Sequence, residues 1–141
     1  MAVSRSYPER PIVGVLAVVL RDGKALVVRR SNPPLSGRWG FPGGVLELGE
    51  TVAEGAMREL FEETGVVAEA TGTLTVLDSL HRDDGGRVRY HYVLIAVLGV
   101  WRSGEGVAGD DADEVAWLSR SAGNYVRYSR EYIDDGEGAA I

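Results

Sequence analysis

The chain has 141 residues, 45% hydrophobic and 26% charged, which suits one folded domain with a real core and is too short for two. Its formal net charge of -6 opposes binding to a nucleic-acid polymer, which needs a basic face that releases counterions. With no cysteine there is no disulfide framework, thiolate nucleophile or cysteine-ligated metal, so any metal must be held by oxygen or by the two histidines.

Residues 1–10 read as an N-terminal arm. Residues 12–20 form a nearly unbroken aliphatic run, residues 25–28 another, and the Asp22-Gly23 step between them signals a tight hairpin. The longest apolar runs, 12–20 and 93–101, fall far below the roughly 18 residues of a membrane span. Charged residues follow the first run where a signal peptide would have small ones, so the expectation is a cytoplasmic protein with no membrane partner. The segment "SNPPLSGRWGFPGG" reads as a loop with a short strand near Trp39.

Residues 43–66, "GGVLELGETVAEGAMRELFEETGV", gather six glutamates. Thr51 with Glu54 has the form of a capping box and Thr64-Gly65 supplies a glycine stop, so a helix is expected over 52–64. At about 100° per residue, Ala53, Ala56, Met57, Leu60 and Thr64 form its core stripe, with Glu59, Glu62 and Glu63 clustered away from it. Gly55 leaves room on the carboxylate face. A mid-helix glycine costs about 1 kcal/mol and like charges a few tenths per pair, so a solvated face explains the pattern less well than a hard-cation site. Arg58 could pair with Glu62 along the helix or hold Glu50 by a bidentate bond.

Further along, residues 70–80 and 88–101 read as strands of a second hairpin around "HRDDGGR", followed by a polar loop, "RSGEGVAGDDAD", and a strand over 114–119. Residues 124–133 carry tyrosines near helical spacing and suggest a second helix, and 134–141 a frayed tail. Strands interleaved with helices indicate a single α/β (α+β) domain with a mixed sheet.

Gly44, Glu50, Arg58-Glu59-Leu60, Glu62-Glu63 and Gly65-Val66 stand at the spacing of every fixed position of the Nudix box, and the chain resembles that hydrolase family over roughly residues 12–119. The resemblance implies an α-β-α sandwich around a mixed β-sheet. It also implies Mg²⁺- or Mn²⁺-dependent hydrolysis of a nucleoside diphosphate linked to another moiety. Carried over by position, Glu59, Glu62 and Glu63 would be metal ligands, Gly43 would add its carbonyl, and Glu50 with Arg58 would support them. A base from outside the box falls to Asp111, near the family's position before Trp117, or to Glu114.

Arg29, Arg30 and Arg38 are candidate phosphate contacts and Trp39 a candidate base contact. The proline and tyrosine markers of two family subgroups are absent after the box. The arm and overall size favour ADP-ribose or a similar nucleotide sugar, with nucleoside triphosphate clean-up as the alternative. A non-catalytic nucleotide-sensing module, the reading of another class, would be expected to lose box carboxylates, and all are present. The resemblance leaves a homodimer open.

Overall fold

The computed structural model describes residues 5–31, 37, 39–109 and 112–119. The long apolar run becomes strand β1 (Ile12–Arg21), followed by β2 (Lys24–Arg30). Asp22 and Gly23 both take positive φ, 50° and 75°, as a two-residue hairpin turn matching strand twist requires. The hairpin pairs only at Leu20 with Ala25 and Arg21 with Lys24. Beyond that point the strands part, and the short strands β3 (Trp39–Gly40) and β4 (Gly43–Val45) pair with β2 and β1 respectively.

After the helix α1 (Val52–Thr64) come the long strands β5 (Val67–Arg82) and β6 (Val88–Ser103), then β7 (Ala112–Ser119). Nine consecutive partners join β1 to β6 in parallel, from Ile12–Tyr92 to Leu20–Val100, whereas every other ladder is antiparallel. The sheet is therefore mixed, in the order β3-β2-β1-β6-β5, with β4 on β1 and β7 on β2. Being central explains why β1 reads as a continuous apolar run rather than an alternating one: both its faces are covered. Val15, Ala17 and Val19 pack toward α1 against Ala56, Leu60 and Val97, while Leu16 and Val18 pack with Phe41, Tyr92 and Leu94 on the opposite face.

The α1 bounds are those expected, and for the expected reasons. Thr51 accepts from the Glu54 amide while Glu54 accepts from the Thr51 amide, and Gly65 closes the helix at φ 71° with its N–H donated to the Phe61 carbonyl. The core stripe needs correction at both ends. Ala53 is exposed, and Glu63, expected on the outward carboxylate face, is buried at 4% exposure. Leu60 lies between Glu63 and Thr64 in angle, so Glu63 flanks the core stripe about 60° from Leu60, where its carboxylate accepts from the Gly43 amide. β5 runs three residues earlier and two later than expected, with four register shifts that bend its ladder. The expected helix over 124–133 and the tail lie outside the described residues.

Candidate active site

The site is built on the outward side of α1 and the segment that leads into it. Gly55 matters for close approach: a Cβ there would lie 2.8 Å from Leu46 Cδ1 and 2.9 Å from Glu50 Oε1, so its absence lets the 46–50 loop press onto the helix. Glu50 is thereby delivered beside Arg58. The guanidinium donates from Nε to Glu50 Oε2 at 2.9 Å and from Nη2 to Glu50 Oε1 at 2.7 Å, the bidentate bond anticipated from the sequence. The i,i+4 alternative is also realised, for Nη1 donates to Glu62 Oε2 at 3.2 Å as well as to Glu59 Oε1 at 2.8 Å. Nη2 also donates to the Val45 carbonyl, and the Glu47 amide donates to Glu50 Oε1.

One arginine thus ties three box carboxylates to the end of β4. Its charge holds the Glu50 carboxyl below the ordinary glutamate range, the hydrogen bond to Arg58 being the largest cause. The same bond raises the Arg58 pKa above its usual value against the cost of burial. Glu59 moves the other way: burial raises its carboxyl, Arg58 only partly offsets this, and the charges of Glu62 and Glu47 add to the rise. Glu63 is fixed separately, accepting from the Gly43 amide at 3.3 Å.

These groups suit a hard divalent cation. All the donors are oxygen, and the glycine pair shapes the space around them. A Cβ on Gly44 would lie 2.6 Å from Glu59 Oε2 and closer still to its Cδ and Oε1. Among the described residues no three acidic or imidazole side chains already converge on one point, because the Arg58 guanidinium lies between Glu59 and Glu62 and serves as their counter-charge.

The remaining candidates are more dispersed. Glu114 stands opposite Arg29 in the β2–β7 ladder and accepts from its Nη1 at 3.3 Å, with Asp113 3.9 Å from Nη2. Arg29 is therefore occupied by carboxylates rather than presented alone to a phosphate. Arg30 is buried, at 8% exposure, and Trp39 is half-buried against the sheet face opposite α1. Asp111 and Arg38 lie outside the described residues.

Sequence reasoning placed a polar loop over 104–109 but missed its contact with the end of α1. Its Val107 and Gly109 amides donate to the Thr64 and Glu63 carbonyls, satisfying the open C-terminal end of the helix that carries the carboxylates. The Trp101 and Trp117 indoles donate to the Gly104 and Glu105 carbonyls, and Arg21, paired with Glu105, lies 3.9 Å from the Trp101 ring centroid. The only signal of this in the sequence was three glycines spaced through a polar loop.

The NUDIX domain family model matches residues 8–134. An ADP-ribose pyrophosphatase from Methanocaldococcus jannaschii is 40% identical over 128 residues, which cover 87% of this chain and 73% of that protein. A MutT NUDIX hydrolase from Burkholderia pseudomallei superposes with a TM-score of 0.69 at 33% identity, over 80% of this chain and 86% of that one. A bifunctional NMN adenylyltransferase/ADP ribose pyrophosphatase from Francisella tularensis, solved with AMP and a manganese ion, superposes with a TM-score of 0.65 at 31% identity, over 90% of this chain but 39% of that one. The chain spans about half or less of several other curated relatives it matches. It belongs to the Nudix hydrolase family.

Proposed function

We propose that this Nudix pyrophosphohydrolase cleaves the diphosphate bridge of ADP-ribose or a closely similar nucleotide sugar, using a divalent cation held by Glu59, Glu62, Glu63 and the Gly43 carbonyl. The observation that carries the proposal is the single guanidinium of Arg58, bonded at once to Glu50, Glu59 and Glu62, beside a Glu63 fixed by the Gly43 amide. Arg58 supplies one positive charge against Glu50, Glu59 and Glu62, with Glu63 beside them, so the cluster keeps an excess of negative charge that a divalent cation would offset. The ADP-ribose pyrophosphatase name of the M. jannaschii relative supports the substrate, and the manganese and AMP in the Francisella structure support the metal and one product.

In the reaction a water oxygen bonds to one phosphorus, the bridging P–O bond breaks, and AMP and ribose 5-phosphate are released. A bound Mg²⁺ or Mn²⁺ would supply charge neutralisation at the phosphate oxygens and lower the pKa of water. The protein's part is preorganisation: Arg58 holds Glu50 and Glu59 in fixed rotamers, Gly43 orients Glu63, and the 104–109 loop anchors the end of α1. For the base, Glu114 is held by Arg29, and Asp111 is the other candidate.

The test is a nucleotide panel assayed with Mg²⁺ and with Mn²⁺. ADP-ribose giving AMP supports the proposal. Pyrophosphate released from a nucleoside triphosphate, with ADP-ribose untouched, would favour the second reading, which the likeness to a MutT protein supports. Failure of every diphosphate compound with either metal would refute both.

A further inference from the structure

A cleft of about 650 Å³ lies between the N-terminal arm and the loop that precedes α1, a size that suits a small-molecule ligand. Arg5 and Arg10 line one wall, Ile12 and Val13 contribute apolar surface, and the other wall includes Glu47 and Glu50. In a chain of net charge -6, neither arginine has an ion-pair partner among the described residues. Glu50 is committed to Arg58, so the cleft ends one ion pair away from Glu59 and Glu62. Glu47 is largely exposed and has only a 3.7 Å approach to Arg58, which leaves its carboxylate able to accept hydroxyl donors.

The arm that carries the arginines is strapped down. Tyr7, between them in sequence, has a φ of 51°, a strained value for a residue with a side chain. Three contacts hold it there: its amide donates to the Arg89 carbonyl at 2.7 Å, its hydroxyl donates to Asp83 Oδ2 at 2.8 Å, and the Arg87 guanidinium lies 4.4 Å from its ring centroid. Asp83 is itself fixed by the Gly85 and Arg87 amides in the β5–β6 turn.

We infer that this cleft is the subsite for the sugar-phosphate half of the substrate. The arginines face its phosphate, Glu47 accepts from sugar hydroxyls, and Ile12 and Val13 support the carbon skeleton. Charge-assisted contacts from guanidinium suit a phosphate that gains negative charge when the bridge is cut. The inference rests on the hydrolase reading above and extends it by assigning which half of the substrate lies here. Tyr7 is a positioning residue, acting through the arm.

The test measures equilibrium binding of ribose 5-phosphate, and separately of AMP, to the full chain without metal. The Arg5→Gln/Arg10→Gln double variant should bind ribose 5-phosphate at least about tenfold more weakly, since each lost charge-assisted bond is worth roughly that factor, while AMP affinity stays unchanged. Tyr7→Phe, which removes only the bond to Asp83, should weaken ribose 5-phosphate several-fold with an unaltered melting temperature. Unchanged ribose 5-phosphate affinity in the double variant overturns the inference, as does an equal loss for AMP or absence of binding to the wild type. Turnover of ADP-ribose by the wild type reports on the hydrolase reading alone: a chain that hydrolyses ADP-ribose but shows no arginine-dependent binding loses this subsite and keeps its activity.

Discussion

Adding a single methyl at each of two adjacent glycines should give opposite phenotypes. In Gly44→Ala the new Cβ would overlap the Glu59 carboxylate, 2.6 Å from Oε2 and nearer to Cδ and Oε1. Restoring ordinary contact requires the carboxylate to retreat by about 1 Å, and a misplacement of that size in a catalytic group costs on the order of 100-fold. Because the clash is with the far end of a flexible side chain, stability should fall by no more than about 1 kcal/mol. In Gly43→Ala the Cβ would instead meet the Val15 backbone carbonyl oxygen and lie 2.8 Å from Leu16 Cδ2, within the central β1–β4 ladder. Backbone there cannot yield without breaking the ladder, so a loss of roughly 3 kcal/mol or more is expected. The assay pairs kcat/KM for ADP-ribose with urea denaturation of both variants. Wild-type kcat/KM in Gly44→Ala would refute the reasoning, as would a Gly43→Ala variant as stable as the wild type.

Glu63→Gln should abolish turnover, at least about 100-fold in kcat, while circular dichroism and melting temperature stay near wild type; retained hydrolysis would remove Glu63 from the site. Glu59→Gln should raise the melting temperature of the metal-free protein while lowering activity, because burial disfavours the ionised Glu59 and the amide removes that charge; a lower melting temperature would contradict it. Glu50 has the opposite sign: its folded pKa is depressed by Arg58, so its stabilisation is present above the ordinary glutamate value of 4.5 and is lost as pH falls through the lower folded value. Arg58→Met should flatten that acid limb and cost about 2–4 kcal/mol at pH 7 by leaving partly buried carboxylates without their partner; denaturation curves across pH 3 to 7 would expose an unchanged limb.

The helix bounds, its caps and the two hairpin turns were legible because each is specified within a few residues: Thr51 with Glu54, Gly65, Asp22-Gly23, and the glycines after Asp83. For Arg58 spacing and chemistry offered two partners, Glu62 and Glu50, and both bonds are made. Helical periodicity failed at Glu63, since angle around a helix does not state how deep the opposite wall lies. At Glu63 that wall is β4, whose Gly43 amide donates to the carboxylate.

The order of residues from Gly43 to Val66 by itself determined a capped helix with carboxylates at metal-ligand spacing and, through the box it matches, the family. Tertiary structure alone decided that Glu114 stands on Arg29, that the 104–109 loop closes the end of α1, and that Arg5 and Arg10 line one cleft with Glu50. The division has a physical basis. Caps, turns and side-chain periodicity are local interactions written in neighbouring residues, whereas these contacts follow from the registers of long strands paired across the chain.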